Sequence, residues 1–282
     1  PTSNATANPV SLLQDRFDKS VVNRILGNVQ VDYTAHFLPD LKATLNLGGD
    51  FSNSEGHRDV ADDVEWTYDN TYGNGTKNYY AQNKKNTLLD FYLNYKKEIP
   101  SIKSRIDATV GYEWQHFYRD DTTSNSNLSG TRIDLRNYDA TENYLVSFFG
   151  RVNYVFAENY MLTATLRDDG SSRFAEENRW GLFPSLAFAW DIKGEKFLQS
   201  VSAVSQLKLR LGYGITGQQD IGRDYAYLAN YTFGMDNAQA QFGNEWITTL
   251  RPEGYDKNLK WEETTTYNAG IDFGIFKDKV FG

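Results

Sequence analysis

Polar and apolar residues alternate along this chain in stretches of about nine to fifteen residues, and the stretches are joined by links of unlike length. Successive side chains of an extended strand point to opposite faces, so a period of two predicts strands rather than helices. Within residues 23–37, Ile25, Val29, Val31, Tyr33, Ala35 and Phe37 share one face, and Arg24, Asn28, Gln30, Asp32 and Thr34 share the other. After the turn LPD, residues 41–50 set Leu41, Ala43, Leu45 and Leu47 against Lys42, Thr44 and Asn46. Further strands are predicted over 86–98, 102–114, 143–156, 160–169, 181–191, 206–215 and 265–276, with a tenth beginning at VFG. Pro184 has no N–H to donate and must sit where the ladder does not ask for one. Residues 192–205 suit a short helical turn.

The long polar links follow the second, fourth, sixth and eighth strands, at about 51–84, 117–141, 169–180 and 216–263. In antiparallel order they fall on one rim, and the shorter links fall on the other. Outer-membrane barrels have this asymmetry. Lipid offers no hydrogen bonds, so a sheet that spans it must be paired throughout and closed. The expectation is an all-β, antiparallel transmembrane β-barrel segment. Lys103, Arg105, Asp107, Glu113, Arg151, Lys208, Arg210 and Asp272 fall on the polar faces and would meet a wet lumen. A soluble antiparallel sheet also has one apolar and one polar face. A soluble carbohydrate-binding β-sandwich, or a structural outer-membrane β-protein, therefore remains the alternative.

Composition narrows the chemistry. Aromatic residues make up 15% of the 282, as suits strands and a membrane interface. The absence of Cys excludes disulfides and thiolate metal sites. His36, His57 and His116 form no ligand cluster in the sequence. A net charge of -8 argues against a nucleic-acid partner. No apolar run is long enough for a transmembrane helix, which says nothing of strands. Glu262 and Glu263 are adjacent in a strand and point to opposite faces, so nothing pairs a catalytic acid with a base.

Several blocks carry a family resemblance. Asp169-Gly170-Ser171-Ser172-Arg173-Phe174, Arg179-Trp180-Gly181 through Phe183-Pro184-Ser185, and Leu207-Lys208-Leu209-Arg210 through Thr216-Gly217 resemble blocks of the SusC/RagA family of TonB-linked outer-membrane transporters of Bacteroidetes. Asn258-Leu259-Lys260-Trp261-Glu262 and the run Asn268 to Gly274 extend the resemblance, and Asn8-Pro9-Val10 fits near the start. Gln218-Gln219 stands where the family usually has Asn-Gln. The resemblance implies a barrel of about 22 strands filled by a plug. It implies import of oligosaccharides, or in some members peptides, driven by the inner-membrane TonB complex beneath a SusD-like surface lipoprotein. It also implies no catalytic residue and no cofactor. The plug is not found in this sequence, which reads as the central part of such a barrel.

Trp66, Tyr68, Tyr72, Tyr79, Tyr80 and Trp246 lie in the long links and are candidates for substrate or lipoprotein contact, with loop packing as the alternative. Asp169, Gly170, Arg173, Phe174, Arg179, Trp180, Gly181, Pro184 and Trp261 read as structural members of the family blocks. Trp180, Trp190 and Trp261 are also candidates for an interfacial aromatic girdle. Asp62-Asp63 and Asp120-Asp121 offer calcium ligands without EF-hand spacing, and a solvated link is the default.

Overall fold

The computed structural model describes residues 8–67, 74–233, 238–276 and 278–282. After the short helix α1 (Pro9–Gln14) come eight successive strands: β1 (Arg16–Thr34), β2 (Leu41–Val60), β3 (Thr76–Ile99), β4 (Ser104–Ser126), β5 (Ile133–Phe156), β6 (Tyr160–Ser171), β7 (Trp180–Asp191) and β8 (Val204–Gln218). Four short strands follow: β9 (Tyr231–Phe233), β10 (Gln239–Phe242), β11 (Glu245–Thr248) and β12 (Leu250–Pro252). The chain closes with β13 (Glu262–Ile275) and β14 (Val280–Phe281). The helix α2 (Lys196–Gln199) lies where the helical turn was expected.

Ten strands form one sheet in the order β1-β2-β3-β4-β5-β6-β7-β8-β13-β14, and β9 with β12 and β10 with β11 form two sheets of two strands. The expected transmembrane β-barrel is corrected by this order. The large sheet is open: β1 and β14 stand at its two ends and are not paired with each other. Alternation is a local signal and specifies each strand, whereas closure depends on pairing between the first and last strands, which no local pattern reports. The pairings described in register are antiparallel, as expected.

The strands run further than the alternation suggested. Residues 51–60 continue β2 and residues 76–84 open β3, although both stretches read as link. β4 likewise extends to Ser126, and β5 begins at Ile133. These stretches are polar over most of their length, so a period of two is faint in the sequence while the backbone runs on as strand. In the reverse case, Pro184 sits inside β7 opposite Leu166 of β6, and the β7–β8 ladder begins only at Ser185. On the β8 side the missing N–H therefore costs no ladder bond.

The chain divides into two compact units. One comprises residues 1–29, 47–88 and 115–143, and the other residues 30–46, 89–114 and 144–282. In the second unit the register separates two chemical faces. Val152, Ala164, Leu186, Tyr213 and Tyr267 lie opposite one another across β5, β6, β7, β8 and β13. The next row on that face is Tyr154, Leu162, Phe188, Leu211 and Ala269. On the other face, Arg151, Thr165, Ser185, Gly214 and Thr266 form one row and Asn153, Thr163, Ala187, Gly212 and Asn268 the next. The apolar face is uncovered: Leu186 is 48% exposed, Tyr267 77% and Ile271 61%. Among the described residues one large sheet and two sheets of two strands are found.

The buried core is small and lies at one end of these strands. Phe174, Phe183 and Trp261 form it, with Leu145, Ile215 and Leu259 packed around them. Two glycines make room for Phe183: a Cβ on Gly217 would come within 2.1 Å of its ring, and one on Gly181 within 2.6 Å.

Candidate functional site

The family blocks assemble around the core. Phe174 is fully buried against Trp261, with ring centroids 5.7 Å apart. The Trp261 indole N–H donates to the Arg179 carbonyl at 3.0 Å, which ties β13 to the entry of β7. Trp180 is on the apolar face, 48% exposed and stacked on Phe148 at 6.1 Å. A Cβ on Gly170 would lie 2.9 Å from that indole, so glycine there lets Trp180 lie down on β6. Of the three tryptophans considered for a girdle, Trp261 is buried in the core, whereas Trp190 stacks on Tyr160 at 6.0 Å. Glu195 sits beside that pair. Hydrogen bonds from Tyr160, Trp190 and Asn159 hold its carboxyl below the usual range.

Arg173 anchors the segment that follows β8. Its guanidinium lies 2.6 Å from Asp224 and 2.8 Å from Asp220. Ser171, fully buried, donates to Gln219. The backbone N–H of Gly222 and the nearby Arg173 hold the Asp220 carboxyl below the usual carboxylate range. Asp169 accepts from Arg167 at 2.6 Å, and Arg167 also donates to Glu113 and Ser147, both at 2.8 Å. This polar cluster was not apparent in the sequence. Arg167 and Glu113 stand in strands that are not consecutive, and only the register brings them together.

The first unit holds a different kind of place. A polar recess of about 450 Å³ is lined by Arg58 of β2, Asn78, Tyr79 and Tyr80 of β3, and Thr123 and Asn125 of β4. Arg58 donates to Asp18 at 2.7 Å, and the Tyr80 hydroxyl donates to the other oxygen of the same carboxylate at 3.1 Å. The Tyr80 ring lies across Gly56, where a Cβ would fall 2.4 Å from it. Tyr79 leans on His57, with ring centroids 5.1 Å apart.

The other expected contact residues are elsewhere. The Trp66 indole donates to Ser11 at 3.1 Å and does not line the recess. Trp246 belongs to the second unit, opposite Gln241 in the small β10–β11 sheet, and is 63% exposed. Tyr68 and Tyr72 lie outside the described residues. Asp120 and Asp121 are strand residues of β4 that accept from Asn83 and Gln82 respectively. Among the described residues no group of three or more metal-ligating side chains is found.

Comparison with known proteins gives one answer. A family described as "TonB dependent receptor-like, beta-barrel" matches residues 2–281. The TonB-dependent receptor SusC of Bacteroides thetaiotaomicron is 42% identical over 99% of this chain and 28% of its own length. The TonB-dependent receptor P26 of Formosa agariphila is 30% identical over 98% of this chain and 28% of its own. Among solved structures, the RagAB peptide importer in its closed-closed state superposes with a TM-score of 0.83 at 23% identity, over 99% of this chain and 31% of the other. The chain thus spans under a third of these relatives.

Proposed function

This chain belongs to the TonB-dependent receptor β-barrel family, in its SusC/RagA branch, and from that premise we propose that it forms part of an outer-membrane transporter importing oligosaccharides with TonB-coupled energy. Receptors of this family transport and do not catalyse.

The observation that carries the reading is the division of the sheet into two faces. A row such as Val152, Ala164, Leu186, Tyr213 and Tyr267 is too apolar and too exposed to rest in water at no cost. Contact with lipid removes that cost, at roughly 25 cal/mol per Å² of apolar surface. The opposite face, with Arg151, Asn153, Arg167 and Asn268, suits a hydrated path for a polar solute. The polar segments at about 51–84, 117–141, 169–180 and 216–263 then lie on the outer side, towards a SusD-like lipoprotein. The TonB complex acts through other parts of the transporter.

Oligosaccharides are favoured over peptides by the recess at Tyr80, where an aromatic ring, amides and a hydroxyl converge. Deleting the gene in the source bacterium and growing the mutant on single carbon sources tests the reading. Growth is expected to fail on at least one oligosaccharide and to persist on free monosaccharides. Loss of growth on peptides alone would overturn the choice of substrate.

A further inference from the structure

We propose that the recess bounded by Arg58, Asn78, Tyr80, Thr123 and Asn125 is a binding subsite for one or two rings of an uncharged glycan, with Tyr80 as its platform. The proposal rests on the oligosaccharide reading above and adds to it a place and a charge preference.

The first argument is preorganisation. Tyr80 is fixed from two sides: its ring lies against the bare backbone of Gly56, and its hydroxyl is bonded to Asp18. A ring held before the ligand arrives loses little rotamer freedom on binding. Its face carries the negative part of the aromatic quadrupole. The C–H groups on one side of a pyranose ring are apolar and weakly positive, and they suit such a face.

The second argument is what is left unbonded. The side chains of Asn78, Thr123 and Asn125 have no hydrogen-bond partner among the described residues. Two amides and a hydroxyl supply both donors and acceptors. That is what a ring of hydroxyl groups requires, since each sugar hydroxyl also donates and accepts.

The third argument is charge. Among the lining residues Arg58 is the one charged side chain, and it is engaged with Asp18 at 2.7 Å, while Tyr80 holds the second carboxylate oxygen. A charged ligand would be partly desolvated there without an unshared counter-ion. A neutral ligand does not pay that penalty. The volume of about 450 Å³ lies within the usual range for small-molecule sites.

The test is isothermal titration of the whole transporter in detergent. The probes are neutral tetrasaccharides of glucose, mannose and xylose in α and β linkage, an oligogalacturonate tetramer, and a pool of peptides. At least one neutral tetrasaccharide is expected to bind. Tyr80→Ala should weaken it about tenfold or more, and Asn78→Ala and Asn125→Ala about three- to tenfold each. Gly56→Ala should mimic Tyr80→Ala, because the added methyl displaces the ring. Asn125→Ala removes no bond from the fold, so its effect cannot be assigned to misfolding. If a neutral glycan binds and all four variants bind it like the unaltered protein, the subsite is overturned and the transporter reading stands. If only the oligogalacturonate binds, the charge argument is overturned. If only peptides bind, or nothing does, both the subsite and the oligosaccharide reading fall.

Discussion

Phe174 is the residue on which most of the core converges. It is fully buried, and Phe174→Ala should cost about 3–5 kcal/mol, read as a lower midpoint of urea unfolding in detergent. Arg173, next to it, makes a finer prediction. The Asp220 carboxyl is held below its ordinary range, so its charged form favours the native segment after β8. That contribution is complete above the ordinary carboxylate pKa of about 4 and is lost as the pH falls through the lower native value. Hydrogen exchange of residues 219–224, taken relative to the intrinsic rate at each pH, should therefore accelerate below about pH 4, and Asp220→Asn should remove the pH step. Acceleration unchanged in that variant would refute the assignment. The sequence made the block from Asp169 to Phe174 legible as a unit. It did not reveal Asp220 and Asp224 as partners, because a single acidic residue in a polar link carries no sign of what it will meet.

At the scale of elements, the strands of the main sheet were legible wherever one face is apolar and the other polar. β6, β7, β8 and β13 all lie close to where alternation placed them. The outer ends of β2, β3 and β4 were not, because stretches such as Thr76 to Asn86 are polar on both sides. The pairs β9–β12 and β10–β11 were missed for another reason. Strands of three or four residues are shorter than the window in which a period can be counted. The two faces of β7 give a paired prediction. Leu186→Arg should lower the yield folded into lipid vesicles, at a cost of about 2–4 kcal/mol, whereas Ser185→Arg, one residue away on the polar face, should fold nearly as well. Equal behaviour of the two variants would mean that the apolar face does not meet lipid.

For the whole molecule, the alternation matched the ten strands of the large sheet and their antiparallel direction where the register is described, but that sheet is open. β1 shows what an open end entails: it is exposed along its whole length, with Val22 and Leu26 on one face and Ile25, Val29 and Val31 on the other. A long edge with apolar residues on both sides is a template for further pairing. Lys19→Pro and Val21→Pro in β1 should therefore reduce the self-association of the isolated chain measured by light scattering. An unchanged scattering signal would show that this edge is not involved. Uptake by cells should also stop when a protonophore collapses the inner-membrane gradient, and uptake that persists would overturn the transport reading.

Strand β3, 24 residues from Thr76 to Ile99, sets a rule of parity. Each residue added or removed within it exchanges the two faces of everything on one side of the change. One alanine inserted after Gln82 would turn Tyr80 away and bring Tyr79 towards Gly56, whereas two would restore Tyr80. Homologous chains should accordingly vary the length of this strand by even steps, or by odd steps accompanied by a bulge. Ligand preference at the tip would then change by a count of residues before it changed by their kind.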